Sequence, residues 1–147
     1  MHVVDVLNEV GNNFAVSSDG IATALQDSAS ALMAGGNDLE QATAMIAAAN
    51  KVVQDPSQVG SGLRTISLRL RGTSVSGELE KMGEDTTGLV SQSKMRDKIL
   101  ALSGVDILTD TGAYKETYEI IREIGHVWES MNDMDQAECC LYVQKCA

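Results

Sequence analysis

The chain has 147 residues, a formal net charge of −10 and an isoelectric point near 4.5. An acidic excess of this size repels phosphate, so it disfavours general binding to nucleic acids and to anionic membrane surfaces. Its apolar runs stay well short of the ~20 residues that a membrane-spanning helix needs, and no signal-peptide pattern stands at the N-terminus. Because aromatic residues make up only 3% of the chain, any core must consist mainly of aliphatic, alanine and methionine side chains.

Two helices are predicted before residue 37. The first ends at Gly11 and has apolar residues at helical spacing, namely Val3, Val4, Leu7 and Val10. Ser17 or Ser18 is placed to cap the second, which ends at Gly35-Gly36. The residues of this helix that should face a core are Ile21, Leu25, Ala29 and Leu32. A second surface of small side chains, which a neighbouring helix can approach closely, consists of Ala24, Ser28 and Ala31.

The stretch from residue 37 to residue 72 is predicted to form two further helices. Asn37 is the expected cap of the first, with Glu40 three residues later as its partner in a capping box. The apolar stripe of this helix is expected to consist of Ala42, Met45, Ile46, Ala49, Val52 and Val53. Pro56 prevents a regular continuation, because it lacks an N–H group and disfavours helical geometry at the preceding residue.

The helix after Pro56 contains two conflicting periodicities. Asp55 is its expected cap, with Gln58 as the partner that reaches back. One helical face carries Val59, Leu63, Ile66 and Leu70, whereas residues 66–71 alternate between apolar and polar as a strand does. The cap and the longer pattern favour a helix. Gly60 and Gly62 each cost a helix about 1 kcal/mol relative to alanine, so we expect both to lie where another helix packs closely.

The chain after Gly72 is richer in loops. A glycine-serine loop is expected over residues 73–77, one or two helical turns over 78–82, and an acidic loop over 84–88. The next helix should contain Met95, Ile99 and Leu102 and end at Gly104. The turn residues Asp110-Thr111-Gly112 allow a short strand or hairpin near residues 105–113.

Residues 114–131 give the best-defined helical pattern of this second half. Its broad apolar arc is expected to consist of Tyr118, Ile121, Ile124, Val127, Trp128 and Met131. Asp133 and Gln136 fit a cap and its partner for a final helix. The fold class predicted from these elements is all-α, a compact bundle of about six or seven short helices. Residues 1–73 should form a four-helix core segment, and residues 74–147 a loop-rich helical segment that is truncated at its C-terminus.

No catalytic, cofactor-binding or metal-binding residue is assigned from the sequence. Residues 72–77 have one residue too many for a G-x-S-x-G nucleophile elbow. His2 and His126 have no cysteine or carboxylate at a recognisable ligand spacing. The three cysteines, Cys139, Cys140 and Cys146, all lie near the C-terminus. An odd number of cysteines grouped in this way gives no disulfide framework and is typical of a protein in a reducing compartment. The expectation is a protein without enzymatic activity, cofactor or metal.

Three of the eleven basic residues, Arg64, Arg69 and Arg71, lie on the helix after Pro56. With the preceding turn, this pair of helices can be interpreted as a helix-turn-helix that reads DNA. The turn is not centred on glycine, however, and the surrounding charge is strongly negative. We therefore expect the arginines to pair with protein carboxylates, for which the nearest candidates are Glu78, Glu80, Glu84 and Asp85.

Several segments, taken in order, resemble the core region of phage tail tape measure proteins. The central one is LEQATAMIAAAN, followed after the proline break by a glycine-leucine-arginine run. VVDVLNEVGNNFAVSSDGIATALQDSASAL precedes it, and ISLRLRGT, GEDTTG, KILALSGVDILTDTGAYKETYEII and VWESMNDMDQA follow. The resemblance covers about residues 3–137 and rests on the order of the segments, since no single one is diagnostic. From Glu138 onward the chain departs from the family pattern, as a truncated or altered form of a longer protein would.

The resemblance implies a segment of the tape measure protein of a phage or prophage, a minor tail protein involved in tail length determination, tail assembly and genome delivery. The implied partners are other copies of the protein, the tail tube and tail assembly chaperones, without specific nucleic acid or a stable membrane span. The implied locations are the tail lumen of the virion and, during assembly, the cytoplasm of the host bacterium.

Without the resemblance, the residues indicate only an acidic, helical interaction protein. An independent helical adaptor that binds other proteins, and less favourably a small DNA-binding regulator, therefore stay open. The frequent glycine breaks and the single proline also predict a folded module, as opposed to one long ruler helix.

Overall fold

The computed structural model describes residues 5–6, 8–9, 17–70, 80–81 and 91–143. Residues 17–70 and 91–143 form six α-helices and one 3-10 turn, and the described residues contain no β-strand. The α-helices are α1 (Ser18–Ala34), α2 (Leu39–Val53), α3 (Pro56–Leu70), α4 (Gln92–Ser103), α5 (Thr117–Val127) and α6 (Asp133–Val143). The prediction of an all-α fold is confirmed. Within the described ranges, no helix is both long and apolar enough to cross a membrane.

The chain divides into two compact units, Met1–Arg64 and Thr65–Ala147. The division falls within α3, so each unit takes part of that helix. The boundary expected between residues 73 and 74 lies outside the described residues and stays a prediction. The first predicted helix, over residues 3–10, is described only at residues 5–6 and 8–9, which are helical.

In the first unit, α1 begins and ends as its sequence predicts. The Ser17 hydroxyl accepts a hydrogen bond from the backbone N–H of Gly20 at 3.0 Å, which satisfies one of the free donors of the first turn. Gly36 ends the helix in the left-handed conformation that glycine adopts easily (φ 85°). α1 then packs against α2 through a buried face that includes Ile21, Leu32 and the three predicted small residues, Ala24, Ser28 and Ala31.

The cap predicted for α2 is wrong by one residue. Asp38, not Asn37, is the cap: its carboxylate accepts from the N–H of Gln41 at 2.8 Å, and the Gln41 side chain accepts from the Asp38 N–H at 2.9 Å. Asn37 is buried and its side-chain amide donates to the carbonyl of Leu32 at 2.7 Å. Because Asn37 serves the end of α1, the next residue is the first one available to cap α2.

The predicted stripe of α2 is correct in its first half only. Ala42, Met45 and Ile46 are buried, and Thr43, Ala47 and Asn50 are buried beside them. Val52 is 84% exposed although it stands seven residues after the buried Met45, on nearly the same helical face; it lies in the last turn of α2. Val53 is exposed as well, at the last residue of the helix.

α3 is helical throughout, so the period-two strand pattern of residues 66–71 was misleading. Its predicted cap is confirmed, since the Asp55 carboxylate accepts from the N–H groups of Ser57 and Gln58, both at 3.1 Å. Val59, Leu63 and Leu70 are buried as predicted, and Ile66 is half-buried. The last turn is buried around its whole circumference at residues 67–70. A helix turn enclosed in this way needs no polar face. This explains why Leu68, which lies off the predicted apolar face, is apolar and buried as well.

In the second unit, one apolar cluster joins every described helix from the end of α3 onward. Its buried members are Leu70, Met95, Ile99, Val105, Ile107, Ile120, Ile124 and Cys139. α4 begins after its cap Ser91 and ends at Gly104 in the left-handed conformation (φ 74°), and it packs against α6. The prediction of a helix that contains Met95 and Ile99 and stops at Gly104 is confirmed.

The helix predicted over residues 114–131 is shorter at both ends. Tyr114 forms a single antiparallel bridge with Leu108, and the turn between them contains Gly112 (φ 80°). This bridge lies where a short strand or hairpin was expected, but it is not extended into strands. α5 therefore begins only at Thr117, and a 3-10 turn, Trp128–Ser130, follows it. Ile120, which the predicted arc omitted, is buried, whereas Ile121 is half-exposed.

The cap predicted for α6 is also wrong by one residue. Asn132 is the cap, since its side-chain oxygen accepts from the N–H of Asp135 at 2.9 Å. Its amide in turn donates to the Asp135 carboxylate at 2.7 Å. Gln136, the predicted partner, instead donates from its side chain to the carbonyls of Trp128 (2.7 Å) and Met131 (3.3 Å). It thereby satisfies free backbone carbonyl groups at the end of the preceding 3-10 turn, as the Asn37 side chain does at the end of α1.

Candidate functional site

The residues with reactive side chains do not form a chemical site in the described part of the chain. Cys139 lies in the core of the second unit, and its burial raises the pKa of its thiol, which makes it less nucleophilic. Cys140 is half-buried beside it, and His126 is exposed on α5. Among the described residues, no three His, Cys, Asp or Glu side chains are grouped so that they could hold a metal ion. His2, Cys146 and the loop over residues 72–77 lie outside the described residues.

The two described arginines of the helix after Pro56 do not form the exposed stripe that a DNA-reading helix requires. Arg69 is only 6% exposed, and Arg64 is half-buried. The two residues are five positions apart, which places them about 140° apart around α3. Arg71 lies outside the described residues, as do three of its four expected carboxylate partners, so the predicted ion pairs stay predictions.

In the first unit, α1 and α3 approach closely at Gly60. A Cβ atom added to Gly60 would lie 2.6 Å from the carbonyl oxygen of Ala24 and 3.0 Å from the Cβ of Asp27. The Ser57 hydroxyl donates to the Asp27 carboxylate at 3.2 Å beside this contact. The expectation of a close approach is therefore confirmed for Gly60. It is wrong for Gly62, where an added Cβ would meet nothing within 4 Å.

In the second unit, two ion pairs fasten the turn between α4 and α5. Arg96 on α4 donates through two nitrogens to the Asp106 carboxylate, with Nε 2.7 Å from Oδ1. Asp106 Oδ1 also accepts from the backbone N–H of Leu108 at 3.0 Å. At the other end of the turn, Lys115 Nζ lies 2.8 and 3.0 Å from the two carboxylate oxygens of Glu123 on α5. The hydrogen bond from Arg96, followed by that from Leu108, lowers the pKa of Asp106 to about 2.

Asp106→Asn should lower the free energy of unfolding at neutral pH, because a neutral amide loses the charge-assisted bonds from Arg96. The pKa of Asp106 is about 2 in the fold and about 4 in an unfolded chain. Its contribution is thus fully present above about pH 4 and is lost as the pH falls towards 2. Denaturant unfolding of both proteins from neutral pH down to about pH 2 should show the difference between them shrinking over that interval.

Asp110→Asn is the matched control, because Asp110 is exposed at the tip of the same turn. It removes the same charge without removing the pair with Arg96, so it should change the stability little. A stability difference for Asp106→Asn that stays constant as the pH falls would contradict this account, as would equal effects of the two substitutions.

The exposed apolar residues suggest where the chain contacts other proteins. On α6, Met134 is 82% and Leu141 is 58% exposed, and their spacing of seven places them on one helical face with the exposed Ala137 between. Cys139, on the opposite face, is buried. A groove in the first unit has a mainly apolar surface, and three carboxylate residues are among those that line it: Asp5, Val6, Glu9, Glu40 and Thr43. These features are typical of surfaces that contact other proteins more than of a catalytic cleft.

A comparison with protein families identifies the group to which this sequence belongs. The family model described as phage-related minor tail protein matches residues 1–139. Comparison with curated proteins and with solved structures gives no match. The family match extends from the first unit through α5 and into α6, so it covers the whole first unit and most of the second. The chain therefore belongs to the phage-related minor tail protein family and is a structural protein of the phage tail.

Proposed function

We propose that this chain is a folded module of a phage tail tape measure protein, the minor tail protein that takes part in tail length determination, tail assembly and genome delivery. The observation that carries the proposal is the family match over residues 1–139. The ordered segments over about residues 3–137 add the resemblance to the tape measure core. The role is structural and not enzymatic.

The lengths of the helices favour a segment folded into short, packed helices over a segment that forms one extended ruler helix. A single helix of 147 residues would span about 220 Å at ~1.5 Å per residue. The longest described helix, α1, has 17 residues, and its end at Gly36 is fixed by hydrogen bonds back to Leu32 and Met33. The helices also bury apolar faces against one another, as α1 does with α2 and α4 with α6. An extended ruler would leave those faces in water.

The proposed partners are other copies of the tape measure protein, the tail tube and tail assembly chaperones. The groove of the first unit and the outer face of α6 are surfaces through which such contacts can form. The proposed location is the tail lumen in the virion and the host cytoplasm during assembly. An independent adaptor protein would share these surfaces but would not be a component of the virion, and this difference can be tested.

The test is to ask whether the chain is inside the tail. An epitope inserted at Asp110-Thr111, in the exposed turn before α5, should leave both helices around it intact. We expect peptides from both units in purified virions, and an epitope that antibodies reach only after the tails are dissociated. An untagged phage and an epitope on the outer tail surface serve as controls. Absence of the chain from purified virions would overturn the proposal in favour of the adaptor, and antibody binding to intact tails would overturn the location in the lumen.

The chain should bind duplex DNA only weakly, because its net charge is −10 and Arg69 is buried. Binding to random duplex DNA can be measured at low salt and again at physiological salt, with a basic DNA-binding protein as the positive control. Tight binding that weakens steeply as salt is added would contradict this prediction, since phosphate contacts release counterions. That result would favour the DNA-binding regulator.

A further inference from the structure

We draw no further inference here: the strongest candidate, the outer face of α6 with the exposed side chains of Met134 and Leu141, is an unpartnered apolar face, and nothing in the structure shows what covers it.

Discussion

Gly60→Ala should lower the free energy of unfolding, whereas Gly62→Ala should raise it. The new methyl group at residue 60 would lie 2.6 Å from the carbonyl oxygen of Ala24, and this backbone atom moves only if α1 and α3 separate. Overpacking of this kind costs about 1–3 kcal/mol. At residue 62 the methyl group meets nothing within 4 Å. There alanine only restricts the unfolded chain and improves helix propensity, which stabilises by about 0.4–1 kcal/mol.

The two variants are matched controls for each other, since they carry the same substitution two residues apart on α3. Denaturant unfolding monitored by circular dichroism would give both free energies, and the sign of each change is the result that matters. If Gly60→Ala is too unstable to purify while Gly62→Ala folds normally, the prediction also holds. Two stabilised variants would show that α1 and α3 do not cross closely at residue 60.

The sequence was sufficient to predict which segments form helices, but it was not sufficient to predict which residue caps α2 and α6. Residues 37–41 contain two overlapping capping boxes, Asn37 with Glu40 and Asp38 with Gln41, and residues 132–136 contain two overlapping pairs at the same spacing, Asn132 with Asp135 and Asp133 with Gln136. Local spacing cannot choose between them. The choice is made by hydrogen bonds to the preceding element, from Asn37 to Leu32 and from Gln136 to Trp128. Both predictions therefore failed by one residue, towards the C-terminus for α2 and towards the N-terminus for α6.

The buried residues were predicted well for helices that pack against the rest of the protein through one face. They were predicted poorly where a helix is covered on several faces. The spacing of Met95 and Ile99 was sufficient to place them in the core. On α3, by contrast, the last turn is buried all round, and its polar residues gave no sign of this. The difference between Gly60 and Gly62 likewise depends on where α1 lies. Only tertiary packing determines this position.

The ion pairs around the turn before α5 could not be predicted either. Arg96 and Asp106 are ten residues apart, and Lys115 and Glu123 are eight apart. Neither separation is one of the three- or four-residue spacings that bring charges together on a helix. The pairs form because the turn folds back between α4 and α5. Membership of a phage minor tail protein family, in contrast, could be predicted from the order of many weak segments, which does not depend on side-chain geometry. The assignment to tape measure proteins stays a prediction.

Tail length after an in-frame deletion tests the proposal that this chain is a packed module of a tape measure protein. The deletion should be made in the phage gene that encodes the sequence, with restoration of the wild-type sequence at the same locus as the control. Electron microscopy would give tail lengths, and plaque counts would give infectivity. We predict that tails fail to assemble or are not infectious, and that no sound, shorter tails appear. Infectious phage with tails shortened by about 1.5 Å for each residue removed would contradict the account, because that is the change expected of an extended helical ruler.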